Sequence, residues 1–130
     1  MNEKIVTSII AMSVLTVSSY GYSTAERVKD MQMMEMAMAK IQKGILSNNQ
    51  LLVIAGVDEL KKSSSQVEIS PKGDMDYGPS YAKKQSEKIM KYADKIKSSI
   101  EEDRKHGAKT NYTKILGECI SCHNKLRKWK

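Results

Sequence analysis

The chain has no phenylalanine, one tryptophan, two prolines and two cysteines in 130 residues. Two cysteines cannot build a disulfide-rich scaffold. Two prolines and seven glycines are too few for the many turns of a sandwich or barrel. The length excludes a multidomain enzyme. No paired-carboxylate site, Ser-His-Asp set or glycine-rich phosphate loop stands out, so the sequence reads as a non-enzyme. What is abundant favours helix: nine methionines, with lysine, isoleucine and alanine. Charged residues at 28% and hydrophobic residues at 40% are an ordinary globular balance.

The first 23 residues read as a secretory signal peptide, and residues 24–130 as one domain. Lys4 supplies a short basic region and residues 5–17 an apolar stretch. Ser18, Ser19, Gly21 and Ser23 then form a cleavage zone, with cleavage after Gly21 or after Ser23. The apolar stretch falls short of the roughly 20 residues that span a bilayer; an uncleaved N-terminal anchor is the alternative. The expected destination is a bacterial periplasm.

Charge is unevenly placed. Residues 24–79 carry seven basic and eight acidic side chains, whereas residues 80–130 carry fourteen and six. A basic surface of this kind suits an acidic protein partner or an anionic membrane face. Nucleic acid is not expected for an exported chain with few aromatics. A solvated lysine-rich helix face is the plainer reading.

Periodicity predicts four helices. Ser23-x-x-Glu26 has the form of a capping box. Val28, Met31, Met34, Met38, Ile41 and Ile45 follow at three- and four-residue steps, one face of a helix of about 24 residues. Ser47-Asn48-Asn49 ends it and caps the next, in which Leu51, Leu52, Ile54, Ala55 and Leu60 are the apolar residues and Gly56 weakens the middle. Residues 63–79 read as a loop rich in turn formers. Pro79 suits a first helical position. Ala82, Gln85, Ile89, Tyr92, Ala93, Ile96 and Ile100 mark a third helix, running to about Lys105 and closed by Gly107. Thr110 or Asn111 caps a fourth, with Tyr112, Ile115, Leu116, Cys119, Cys122 and Leu126 on its apolar face. Four such stripes with short connections predict an all-α, antiparallel up-down-up-down four-helix bundle. A Met-rich core of about 107 residues is marginal without help, and a buried prosthetic group would supply apolar contact.

Cys119-Ile120-Ser121-Cys122-His123 is a C-x-x-C-H sequence, the attachment signature of c-type haem. Two cysteines three apart share a helix face, so both sulfurs reach one haem. His123 then serves as the proximal iron ligand. A redox C-x-x-C would sit near a βαβ pattern, which is absent. A structural zinc site needs four ligands, and His106 lies ~25 Å from His123 along a helix. A plain disulfide is the reading for a chain that never receives haem. In an up-down-up-down bundle the C-terminal end of helix four lies beside the N-terminal end of helix one. That topology points to Met31 as the second axial ligand, with Met33 and Met34 just beyond. Met34 is the next candidate and a residue of the cofactor pocket. Most of these methionines are core packing. A thioether copper site is a distant alternative.

A helical chain ending in C-x-x-C-H behind an exported N-terminus resembles the cytochrome c-prime family, a four-helix-bundle type. Cys119-x-x-Cys122-His123 with Arg127 resembles the family's haem motif and its basic residue four after the histidine. Arg27-x-x-x-Met31 resembles the arginine that precedes the distal position by four. The resemblance implies that Arg27 pairs with a haem propionate and that Met31 faces the iron. The family divides into low-spin, Met-ligated electron carriers and five-coordinate, high-spin members that bind NO or CO. A methionine at position 31 resembles the first branch. The absence of phenylalanine, and Leu126 where an aromatic is usual, depart from the pattern. The resemblance also implies homodimers. The expectation is therefore one covalently attached haem c exchanging electrons with redox partner proteins. Lys125, Arg127, Lys128 and Lys130 could dock acidic ones, and Trp129 either covers the haem edge or packs against helix one.

Overall fold

In a computed structural model of the protein, the described residues are 22–67 and 79–126. They form four helices and no strand: α1 (Thr24–Leu46), α2 (Gln50–Gln66), α3 (Pro79–Glu101) and α4 (Lys105–Leu126). The expected signal-peptide stretch up to Gly21, most of the expected loop, and Arg127, Lys128, Trp129 and Lys130 lie outside the described residues.

α1 starts where its capping box predicts. The Glu26 N–H donates to Ser23 Oγ at 3.1 Å, and the Ser23 N–H donates to Glu26 at 2.6 Å. Those backbone and hydroxyl bonds hold the Glu26 carboxyl below the usual range. Just before it, the Tyr22 hydroxyl donates to Asp30 at 2.6 Å. At the other end, Asn48 takes a left-handed φ of 52°, a conformation asparagine tolerates. Asn49 Oδ1 accepts the Leu52 N–H and caps α2.

The helices pack as an antiparallel four-helix bundle. Lys40 pairs with Glu59 between α1 and α2. Ser64 and Ser86 hydroxyls meet at 3.0 Å between α2 and α3. Lys88 pairs with Glu118 at 3.2 Å between α3 and α4. Tyr112 donates to Gln42 at 3.2 Å, tying α4 back to α1. The core runs through Met34, Ala37, Met38, Ile41, Val53, Val57, Leu60, Ile89, Ala93, Ile96, Ala108 and Ile115. α1 packs tightly on α2, but α1 and α4 are the loosest neighbours.

Four local expectations need correcting. In α2, Leu51 is 80% exposed, whereas Val53, Gly56, Val57 and Leu60 are buried. The helix begins Gln-Leu-Leu-Val-Ile-Ala-Gly-Val, apolar all round, so periodicity does not choose its face. Contact with α1 chooses it, through Gly56, which seats against Ile41 and Ala37. Residues 63–66 are helical rather than loop, because Ser63 and Ser64 are buried and Ser64 has Ser86 as partner. The third connection lies earlier than expected. Asp103 makes the turn with a φ of 55°, and Gly107 sits in α4, where its missing side chain admits Ser99. Thr110 and Asn111 are then inside α4, and their side chains donate to the carbonyls of His106 and Gly107. Val28, on the expected stripe of α1, is 43% exposed.

The glycines give a paired test. A Cβ on Gly44 would lie 2.6 Å from Val53 Cγ2 and 2.8 Å from the Val53 backbone nitrogen. Relief requires α1 and α2 to separate, so Gly44→Ala should cost about 1–3 kcal/mol. A Cβ on Gly117 meets nothing within 4 Å. Gly117→Ala, inside a helix, should instead add about 0.5–1 kcal/mol. Urea titrations of the two variants should therefore move to opposite sides of the parent.

Candidate functional site

The C-x-x-C-H residues occupy the last turns of α4. Ile115, Cys119 and Cys122 follow one another at four- and three-residue steps, so the stripe that packs the bundle also carries the sulfurs. Cys119 packs against the core, and both thiols are half-buried and unpaired. Burial pushes the Cys119 thiol up to about 11, with a smaller push from Cys122. Burial also raises Cys122, with Lys125 opposing it. Both sulfurs are therefore neutral thiols at neutral pH. Tyr112, two turns before Cys119, is raised by burial too, with a smaller push from Cys119.

One residue beyond Cys122 turns the helix by about 100°. That step carries His123 off the core stripe, and it is exposed. His123 belongs to a strip with Leu116 and Ile120, which are 45% and 46% exposed. The Tyr112–Gln42 hydrogen bond shows which helix that side of α4 faces, and in what register. Eleven residues on from Tyr112 is His123, and eleven back from Gln42 is Met31. The two therefore stand level across the α1–α4 seam. Met31 is half-buried against the core, and one turn above it Val28 offers another exposed apolar side chain. The seam thus has exposed apolar side chains on both helices, and these two helices are the most loosely packed neighbours of the bundle.

Met34 is more deeply buried than Met31. It is 7% exposed and part of the core cluster. Met33 and Met36, off the core stripe, are 38% and 62% exposed. Arg27, one turn before Met31, is half-buried and makes no ion pair with another described residue. His106 lies on the first turn of α4, at the opposite end from His123. Among the described residues no three His, Cys, Asp or Glu side chains cluster as a metal-binding group. Nor is any described helix long and apolar enough to cross a membrane. Shallow surface hollows beside Arg104 and His106, and beside Gln42 and Leu46, sit far from the cysteines.

These residues fit a flat apolar group carrying an iron and acidic side arms. Two thiols on one helix face, an imidazole and a thioether on facing helices, apolar lips and an arginine all converge on one end of the bundle. The sequence reading placed Gln85 on the stripe of α3 but missed its unpaired acceptor and the Ser86 contact. Ser86 shares its hydroxyl with Ser64. Gln85 is buried, and its Oε1 has no hydrogen-bond partner among the described residues. The available signal was a polar residue on an apolar stripe, between Ala82 and Ile89. No family model matches the chain, and no curated protein or solved structure shows significant similarity to it.

Proposed function

We propose that this chain is an exported, mono-haem c-type electron carrier, with haem c held by Cys119 and Cys122 and the iron held by His123 and Met31. The observation that carries the reading is the register of α1 on α4. It sets a thioether level with the histidine of a C-x-x-C-H sequence, across a seam with exposed apolar lips.

When bound, haem supplies one-electron exchange between ferric and ferrous iron. Cys119 and Cys122 would hold the group as thioethers, each S–H adding across a vinyl double bond with sulfur on one carbon, hydrogen on the other and no leaving group. Burial of both thiols keeps that hydrogen in place until a partner arrives. His123 and Met31 come from two different helices, so the bundle fixes their separation and limits rearrangement between oxidation states. Val28, Leu116 and Ile120 would supply apolar contact that keeps water from the group. Arg27 offers its guanidinium to a carboxylate side arm. Met31 as an iron ligand would favour a higher reduction potential than a second nitrogen ligand. The excess of lysine in α3 and α4 suits acidic redox partners.

Absorption spectra of the exported, matured protein test the reading. They are recorded oxidised, reduced, and reduced under CO. Sharp reduced bands that CO leaves unmoved are the expected result. A broad high-spin spectrum that shifts with CO would make this a gas-binding protein for NO or CO. A chain without covalent haem would end both readings.

A further inference from the structure

Gln85 is the one buried side-chain polar atom site left unpaired among the described residues. It is 7% exposed, on the core face of α3. Its neighbour Ser86 is already satisfied by Ser64, so the unpaired atom is not part of that contact. Its height in the bundle is set by two rungs between α3 and α4. Lys125 lies 4.4 Å from the Tyr81 ring centre, and Lys88 pairs with Glu118. Four residues on from Tyr81 is Gln85, and four back from Lys125 is Ser121. Gln85 therefore stands level with Ser121 and Cys122, at the end of the bundle that carries Met31 and His123. A leucine there would continue the apolar stripe at no such cost, since a buried acceptor without a donor is destabilising.

We infer that Gln85 is a positioning residue of the haem site, its Oε1 accepting a hydrogen bond from a donor that only the loaded site supplies. This rests on the haem reading above. Two donors share the required chemistry. One is the ring N–H of His123, which needs an acceptor once its other nitrogen binds iron. The other is a water enclosed beside the group, held by otherwise unsatisfied polar atoms. In either case the acceptor supports the more positive, oxidised iron.

The test uses the full, matured protein with Gln85→Leu, and Gln85→Met as a second apolar variant of similar length should Leu fail to fold. Covalent haem is first quantified on the natural chain; its absence there would overturn the haem reading and this inference together. With haem present, the substitution should shift the balance at least tenfold toward the reduced form, which is about 59 mV for one electron. The iron–histidine stretch is then read by resonance Raman in ferrous Met31→Ala, with and without Gln85→Leu. A raised potential with a lowered stretch identifies His123 as the donor. A raised potential with an unchanged stretch identifies the water. Potential and stretch both unchanged would overturn the role of Gln85 while leaving the haem reading intact.

Discussion

Met31→Ala should turn a low-spin haem protein into a high-spin one that binds CO in full stoichiometry, where the parent binds essentially none. The Tyr112–Gln42 register sets the Met31 thioether level with His123 from α1. Alanine at that place has no donor atom, and the sixth position opens. The reduction potential should fall as well, because a methionine ligand raises it. The fold should survive. Met31 is only half-buried, so its truncation falls below the roughly 2–5 kcal/mol of a fully buried methionine. Met34→Ala is the matched control. It removes a core side chain at 7% exposure and should cost about 2–5 kcal/mol in stability, yet leave the spectrum low-spin. The reverse pattern, with the spectrum following Met34, would show that the ligand lies one turn further along α1.

Removing both cysteines has the second large consequence. Cys119→Ala with Cys122→Ala should abolish covalent attachment, so that acidified organic solvent strips all haem from the chain. Each single variant should keep one thioether and resist extraction. Alanine is preferred to serine because Cys119 packs against the core, where an unpartnered hydroxyl would add its own penalty. The double variant should also melt lower than the loaded parent. Val28, Leu116 and Ile120, all more than 40% exposed in the protein alone, would lose the surface that covers them. Retention of haem through extraction in the double variant would show that attachment does not run through these sulfurs.

The sequence makes some features legible because a single local interaction decides them. Ser23 and Glu26 close a box between themselves, Asn48 and Asn49 make a turn that needs a left-handed residue and a cap, and Pro79 opens α3. The C-x-x-C-H sequence is similarly self-contained. Features decided by a neighbouring helix were harder to read. Leu51 looks like core and is exposed, because the close approach of α1 to Gly56 sets the rotation of α2. Ser63 and Ser64 look like loop residues, and Ser86 across the bundle makes them helix. Gly107 looks like a stop signal, whereas it accommodates Ser99. The depth of Met31 was accessible from topology alone, because an antiparallel bundle fixes which ends meet. The openness of the seam beside it was not, since exposure of Val28 and Ile120 depends on how loosely two helices lie together.

The box that starts α1 also bears on how the chain would be processed. Under the export proposal, a peptidase must choose between the bond after Gly21 and the bond after Ser23. Cutting after Ser23 would discard the hydroxyl that accepts the Glu26 N–H, at about 1 kcal/mol, and with it the Tyr22–Asp30 bond. Cutting after Gly21 spares both. Edman sequencing of the secreted protein should therefore begin Tyr-Ser-Thr-Ala, and the mature domain would keep its first helical turn anchored two residues from its new end.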